Sequence, residues 1–98
     1  MLHKKAIRYV SANAQAYVVD KLFDENFFSE QEMAIYKRGR NADSNTVPKN
    51  TELSVYKKAT GYEALIGAIY LEEKTERLDE LIYRSIEITN ERIGAKDE

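Results

Sequence analysis

Ninety-eight residues, 43% hydrophobic and 33% charged, suffice for one small hydrophobic core and are too few for two. With no cysteine and a single histidine, His3, the chain excludes disulfides, thiolate nucleophiles, Cys-ligated zinc and any site needing two imidazoles, which leaves carboxylates, hydroxyls and bases for chemistry. The formal net charge of -2 hides an asymmetry, since residues 1–58 hold ten Lys/Arg against seven Asp/Glu and residues 59–98 hold five against ten.

The basic excess is sharpest between Lys37 and Lys58, where Lys37, Arg38, Arg40, Lys49, Lys57 and Lys58 face only Asp43 and Glu52. A basic patch beside an acidic body is expected, an arrangement suited to polyanions. No window approaches the roughly 18 apolar residues of a membrane span, and the opening Met1-Leu2-His3-Lys4-Lys5 has no apolar signal region, so a cytoplasmic protein is expected.

One Pro, four Gly and no sustained apolar/polar alternation predict an all-α chain of about four helices, organised as one domain over residues 1–98. The first helix is expected over residues 2–24, with Ile7, Val10, Ala14, Val18 and Leu22 as its apolar stripe. It begins without a capping residue, so a further segment is expected upstream. The second helix is announced by Ser29-Glu30-Gln31-Glu32, a capping box, with Phe28 and Met33 placed as a hydrophobic staple. Gly39 is the expected stop and Arg38 complements the helix dipole there. The run from Gly39 to Asn50 is rich in turn formers, and so long a loop in a small domain is usually functional or disordered.

A third helix is expected from a cap at Asn50 or Thr51 to about Glu73, with a kink near Gly61; its centre, Tyr62 to Leu71, is the most apolar stretch of the chain. Thr75 is the expected cap of a fourth helix, with Leu78, Leu81, Ile82, Ile86 and Ile93 as its stripe, Gly94 as its end and a charged tail beyond.

Two features carry chemistry. Glu63 is the sole charge between Lys58 and Glu72, and its helical neighbours Ala59, Thr60, Ile66 and Gly67 are mostly small. Such a surround gives a metal ion, a ligand or a second backbone room to reach the carboxylate; a solvated helix position has the same signature. The basic segment, Lys37, Arg38, Arg40, Asn41, Lys49 and Asn50, offers forked donors and amides to a phosphate backbone, and a solvated loop with helix-end charges is the plain alternative. His3 reads as a surface histidine, the tyrosines as core and interface residues, and Ser11 and Ser85 lack any catalytic-triad context.

The string Tyr62-Glu63-Ala64-Leu65-Ile66-Gly67-Ala68-Ile69-Tyr70-Leu71 resembles the second catalytic motif of the ribonuclease III family, a helix bearing a metal-binding glutamate followed by Ala-Leu-Ile-Gly and an aromatic. Three more segments, Tyr9 to Ala16, Arg38-Gly39-Arg40-Asn41-Ala42 and Thr46-Val47-Pro48-Lys49-Asn50, resemble in order and spacing the compact bacterial branch of that family, Mini-ribonuclease III, which has no separate double-stranded-RNA-binding domain. The resemblance covers residues 2–93.

It implies an all-α, dimeric endonuclease domain, dependent on Mg²⁺ or Mn²⁺, that cuts double-stranded RNA and matures the 23S ribosomal RNA precursor in the cytoplasm. Glu63 matches the catalytic, metal-binding glutamate. Thr60 stands where most members of the family have an aspartate. The family's earlier Gly-Asp motif, whose aspartate is a further metal ligand, has no counterpart in these residues and would fall upstream of Leu2. On this reading the 98 residues hold about half of a carboxylate site and by themselves should be inactive. The alternative is a non-catalytic RNA-binding or helical interaction module on the same fold.

Overall fold

The computed structural model of the chain describes residues 12–42 and 52–97, the last five by their backbone course alone. Among the described residues there are four helices and no strand: α1 (Ala12–Asp24), α2 (Glu30–Asn41), α3 (Leu53–Leu71) and α4 (Thr75–Asp97). The all-α expectation holds.

Residues 2–11 of the expected first helix, with Ile7 and Val10, lie outside the described residues; within α1, Val18, Val19 and Leu22 are buried and Ala14 is half-buried. The helix ends in a Schellman turn. Phe27 N–H reaches the Leu22 carbonyl at 2.9 Å, and Asn26 N–H reaches that of Phe23 at 3.0 Å. Asn26, at φ 53°, takes the left-handed position that asparagine tolerates better than most residues.

The capping box forms as its sequence requires: Glu32 N–H donates to Ser29 Oγ at 3.2 Å and Ser29 N–H donates to Glu32 Oε1 at 3.0 Å. Gly39 does not end α2. The helix runs on to Asn41, and Ala42 closes it in extended backbone. The glycine serves a crossing described below, which needs the absent side chain and not a left-handed φ.

Three further boundaries differ from expectation. Glu52 is the N-cap of α3 and makes no side-chain capping bond, while Asn50 and Thr51 lie outside the described residues. The helix passes unbroken through Gly61 and stops at Leu71, where a second Schellman turn places Glu73 at φ 58°. Thr75 is the first helical residue of α4, not its cap, since the Lys74 carbonyl already accepts from Leu78 N–H at 2.9 Å. α4 continues through Gly94 to Asp97.

The core centres on α3, which packs against each of the other helices. Leu22, Val19, Leu65 and Leu81 are fully sequestered, and each buried aliphatic of this size contributes roughly 1.5–3 kcal/mol of transfer free energy. On α4 the buried stripe is Leu78, Leu81, Ile82, Ser85 and Ile88. Ile86, expected in it, is 44% exposed, because it sits about a quarter turn from the line joining residues 78, 82 and 85. Ser85 belongs to the stripe because its hydroxyl is satisfied twice, donating to the Leu81 carbonyl at 2.7 Å and accepting from Tyr62 Oη at 2.5 Å.

A single arginine joins the start of α4 to the start of α2. Arg77 donates from Nε and Nη2 to the two oxygens of Glu32, each at 2.7 Å, and from Nη2 to the Phe27 carbonyl at 2.6 Å, with its guanidinium 4.6 Å from the Phe27 ring centre. Glu32 therefore caps its own helix and anchors another at once.

Candidate active site

α3 is apolar nearly all round, as befits a helix with neighbours on several sides. Past Lys57 and Lys58 in its first half, Glu63 is the one charge it carries. The residue is exposed and makes no hydrogen bond or ion pair among the described residues. One turn later, a side chain at Gly67 would meet nothing within 4 Å among the described residues, which leave the space beside the carboxylate open. One turn earlier, Thr60 donates its hydroxyl to the Tyr56 carbonyl at 2.9 Å, which leaves the oxygen free only as an acceptor. The adjacent Tyr62 is buried on the other side of the helix, where burial pushes its phenol up and the Ser85 hydroxyl pulls it partly back.

In kind, an exposed unpaired carboxylate suits a hard divalent cation; in number it falls short. Among the described residues no three of Asp, Glu, His or Cys lie close enough to hold a metal ion. One carboxylate does not displace enough of such an ion's hydration shell, so the described residues alone do not make a metal site.

The residues expected to meet a phosphate backbone fall partly within the described chain. Lys37, Arg38 and Asn41 are exposed on the last turn of α2, and Lys49 and Asn50 lie outside the described residues. Arg40 is half-buried and held on two sides: its guanidinium lies 5.9 Å from the Tyr36 ring centre, and its Nε donates to Asn41 Oδ1 at 3.2 Å. Such anchoring fixes the guanidinium plane while leaving its outer N–H groups for another acceptor. Lys58 leaves the patch, since it bonds both oxygens of Asp20 at 2.8 and 3.1 Å and ties α3 to α1.

What brings the two halves together is a close crossing of α2 and α3. A Cβ on Gly39 would fall 2.5 Å from the Ala64 Cβ and 3.2 Å from the Gly61 Cα, and a Cβ on Gly61 would fall 2.8–2.9 Å from the Tyr36 ring. Tyr36 has no room to retreat, being 1% exposed, stacked on Phe28 at 6.2 Å and edge-on to Phe23 at 5.3 Å. The turn carrying Arg38 and Arg40 is thereby seated against the turn carrying Thr60, Glu63 and Ala64. Sequence reading missed this use of Gly39 and Gly61; its one trace was a glycine inside each helical pattern.

Comparison with known proteins gives a consistent picture. The family described as Ribonuclease III domain matches residues 1–74. The chain is 46% identical over 91 residues to the Mini-ribonuclease 3 of Staphylococcus aureus, covering 93% of this chain and 68% of that protein. It is 44% identical over 90 residues to the Mini-ribonuclease 3 of a Thermoanaerobacter species, covering 92% and 62%, and 45% identical over 82 residues to that of Enterococcus faecalis, covering 84% and 62%. The chain thus spans about two-thirds of the length of these curated relatives.

Proposed function

Because the chain belongs to the ribonuclease III family of endoribonucleases, we propose that it supplies the larger part of one nuclease domain that cuts double-stranded RNA, with the precursor of 23S ribosomal RNA as its cytoplasmic substrate and a homodimer as its working form. The observation that carries this reading is Glu63: an exposed carboxylate with no partner among the described residues, beside open space, on the helix against which the basic turn of α2 is seated. A divalent cation held there, Mg²⁺ or Mn²⁺, would supply an activated water and neutralise charge on the phosphate. Glu63 would contribute an oxygen to such an ion, which would need further ligands beyond those the described residues bring together. Lys37, Arg38, Arg40 and Asn41, with Lys49 and Asn50, hold the RNA backbone by charge and forked hydrogen bonds, without reading bases.

The test is cleavage by the full-length protein of an end-labelled RNA duplex, with single-stranded RNA and a DNA duplex as controls. Cuts confined to duplex RNA and abolished by chelation are expected. Duplex binding without cutting at any divalent metal would overturn the nuclease reading in favour of a non-catalytic RNA-binding module.

The grip has its own signature. Replacing Arg38 and Arg40 together by Ala should weaken duplex binding alike for unrelated sequences and flatten the dependence of log K on log salt by roughly two units, about one per lost phosphate contact. Unchanged affinity and slope would remove the end of α2 from the interface.

A further inference from the structure

The glycine crossing does more than pack two helices. We infer that Gly39 is a positioning residue that sets where the RNA is cut, by fixing the span between the phosphate-gripping turn of α2 and the carboxylate of Glu63. The inference rests on the nuclease reading above and adds to it a residue that touches neither RNA nor metal.

Gly39 lies between Arg38 and Arg40, so any movement of its backbone moves both cations. Opposite it, the space a side chain would need is taken by the Ala64 Cβ at 2.5 Å, and the Thr60 carbonyl lies 3.5 Å away. Those two residues flank Glu63 on α3, one directly after it and the other three before. The contact that determines the separation of the helices is therefore the same contact that separates grip from carboxylate. Neither side can absorb a change locally. On α3, Gly61 is held against Tyr36, which is locked among Phe23 and Phe28. On α2, the far end of the helix is pinned by the capping box and Arg77. Arg40 is also braced, on Tyr36 and Asn41, so its guanidinium follows the helix.

An overlap at 2.5 Å, against an ordinary contact of 3.4 Å or more, must be relieved by moving the end of α2 away from α3 by roughly 1 Å. An endonuclease that holds the backbone at one place and hydrolyses it at another converts such a displacement into misalignment of the scissile phosphate. Misplacement on the order of 1 Å costs roughly a hundredfold in rate even when binding energy is retained.

The experiment compares full-length wild type, Gly39→Ala, Ala64→Gly and the double variant Gly39→Ala/Ala64→Gly on one end-labelled RNA duplex. The double variant moves the methyl group from one helix to the other, which removes the 2.5 Å overlap and leaves only the 3.2 Å approach to the Gly61 Cα, a matter of a few tenths of an ångström. Gly39→Ala is expected to lower kcat about 10- to 100-fold per folded molecule, to leave duplex affinity within about threefold, and to spread the cuts onto neighbouring phosphodiesters. The double variant is expected to recover kcat to within about fivefold and to return the cuts to one position. Should Gly39→Ala not fold, Ala64→Ser, which adds one oxygen at the same contact, replaces it with the same expectation. A folded Gly39→Ala, or Ala64→Ser in its place, with wild-type rate and cut sites overturns the inference, and so does a loss of rate in Gly39→Ala that the folded double variant leaves unrepaired. Failure of the nuclease reading is separable: it appears as duplex binding without cutting by the wild type, whereas an active wild type and an inactive Glu63→Gln beside an unaltered Gly39→Ala sink the positioning role alone.

Discussion

Glu63→Gln in the full-length protein is expected to reduce duplex cleavage at least a thousandfold, on the order of 4 kcal/mol in activation free energy, while duplex affinity stays within about threefold. The substitution keeps volume and shape and removes only the charge. Because Glu63 is exposed and makes no hydrogen bond or ion pair among the described residues, stability should change by no more than about 0.5 kcal/mol. A neutral amide is a poor ligand for a hard dication, and no neighbouring acid among the described residues can take over. RNA affinity is not expected to fall, since removing a negative charge near a polyanion, if anything, favours it. Rate, affinity and thermal unfolding measured on one preparation separate the alternatives. A fully active variant would make Glu63 an ordinary solvated helix position, and a variant that loses affinity as steeply as rate would place it in RNA binding.

The largest effect on stability is expected at Arg77. Arg77→Ala removes both bonds to Glu32, the bond to the Phe27 carbonyl and the packing on the Phe27 ring. It leaves Glu32, whose side chain is only 10% exposed, charged and with Ser29 as its remaining partner. Breaking a well-buried pair from one side costs about 3–5 kcal/mol. Arg77 is 26% exposed, which allows water to replace part of the loss, so about 2–4 kcal/mol is expected, or a fall in Tm on the order of 10–20 °C. Arg84→Ala should cost less, because Glu25, to which Arg84 donates from Nε and Nη2, is 33% exposed against 10% for Glu32, and its ion pairs with Glu87 and Glu91 reach carboxylates that are 64% exposed.

The pH dependence of this difference has a definite sign. Arg77, chiefly through its hydrogen bonds, together with the Ser29 N–H, holds the Glu32 carboxyl below its ordinary value of 4.5 against the opposing effect of burial. A carboxylate depressed on folding contributes stability that is present above its unfolded pKa and is lost as pH falls through its folded pKa. The Tm gap between wild type and Arg77→Ala should therefore be full near neutrality and narrow in acid, below about pH 4.5. A gap that stays constant down to pH 3 would show that packing on Phe27, and not the ion pair, carries the effect.

Local signals were legible where partners are close in sequence. The capping box needs only residues 29 and 32, and it formed as its spacing required. Val18 and Leu22 of α1 and Leu78, Leu81 and Ile82 of α4 follow from helical period, Ile86 does not, Ile93 lies beyond the described side chains, and the central place of the helix holding Tyr62–Leu71 follows from its apolarity. Glu63 stood out as a lone charge within that stretch. Boundaries were less legible: Gly39 and Gly94 have the composition of helix ends, yet helices pass through both. A glycine lowers helix propensity by about 1 kcal/mol, which neighbours across a tertiary contact readily outweigh.

An all-α chain, its helix order, the cap of α2 and the candidacy of Glu63 and the basic turn could all be read along the chain, because each depends on residues within a turn or two of one another. The packing of the helices made Gly39 and Gly61 crossing points, tied Lys58 to Asp20 and so took it out of the basic patch, put Ser85 in the core and Ile86 at the surface, and joined Arg77 to Glu32 across 45 residues. Those pairings are chosen by shape and by the need to satisfy buried polar groups once the helices meet, and no periodicity along a single chain records which face will meet which.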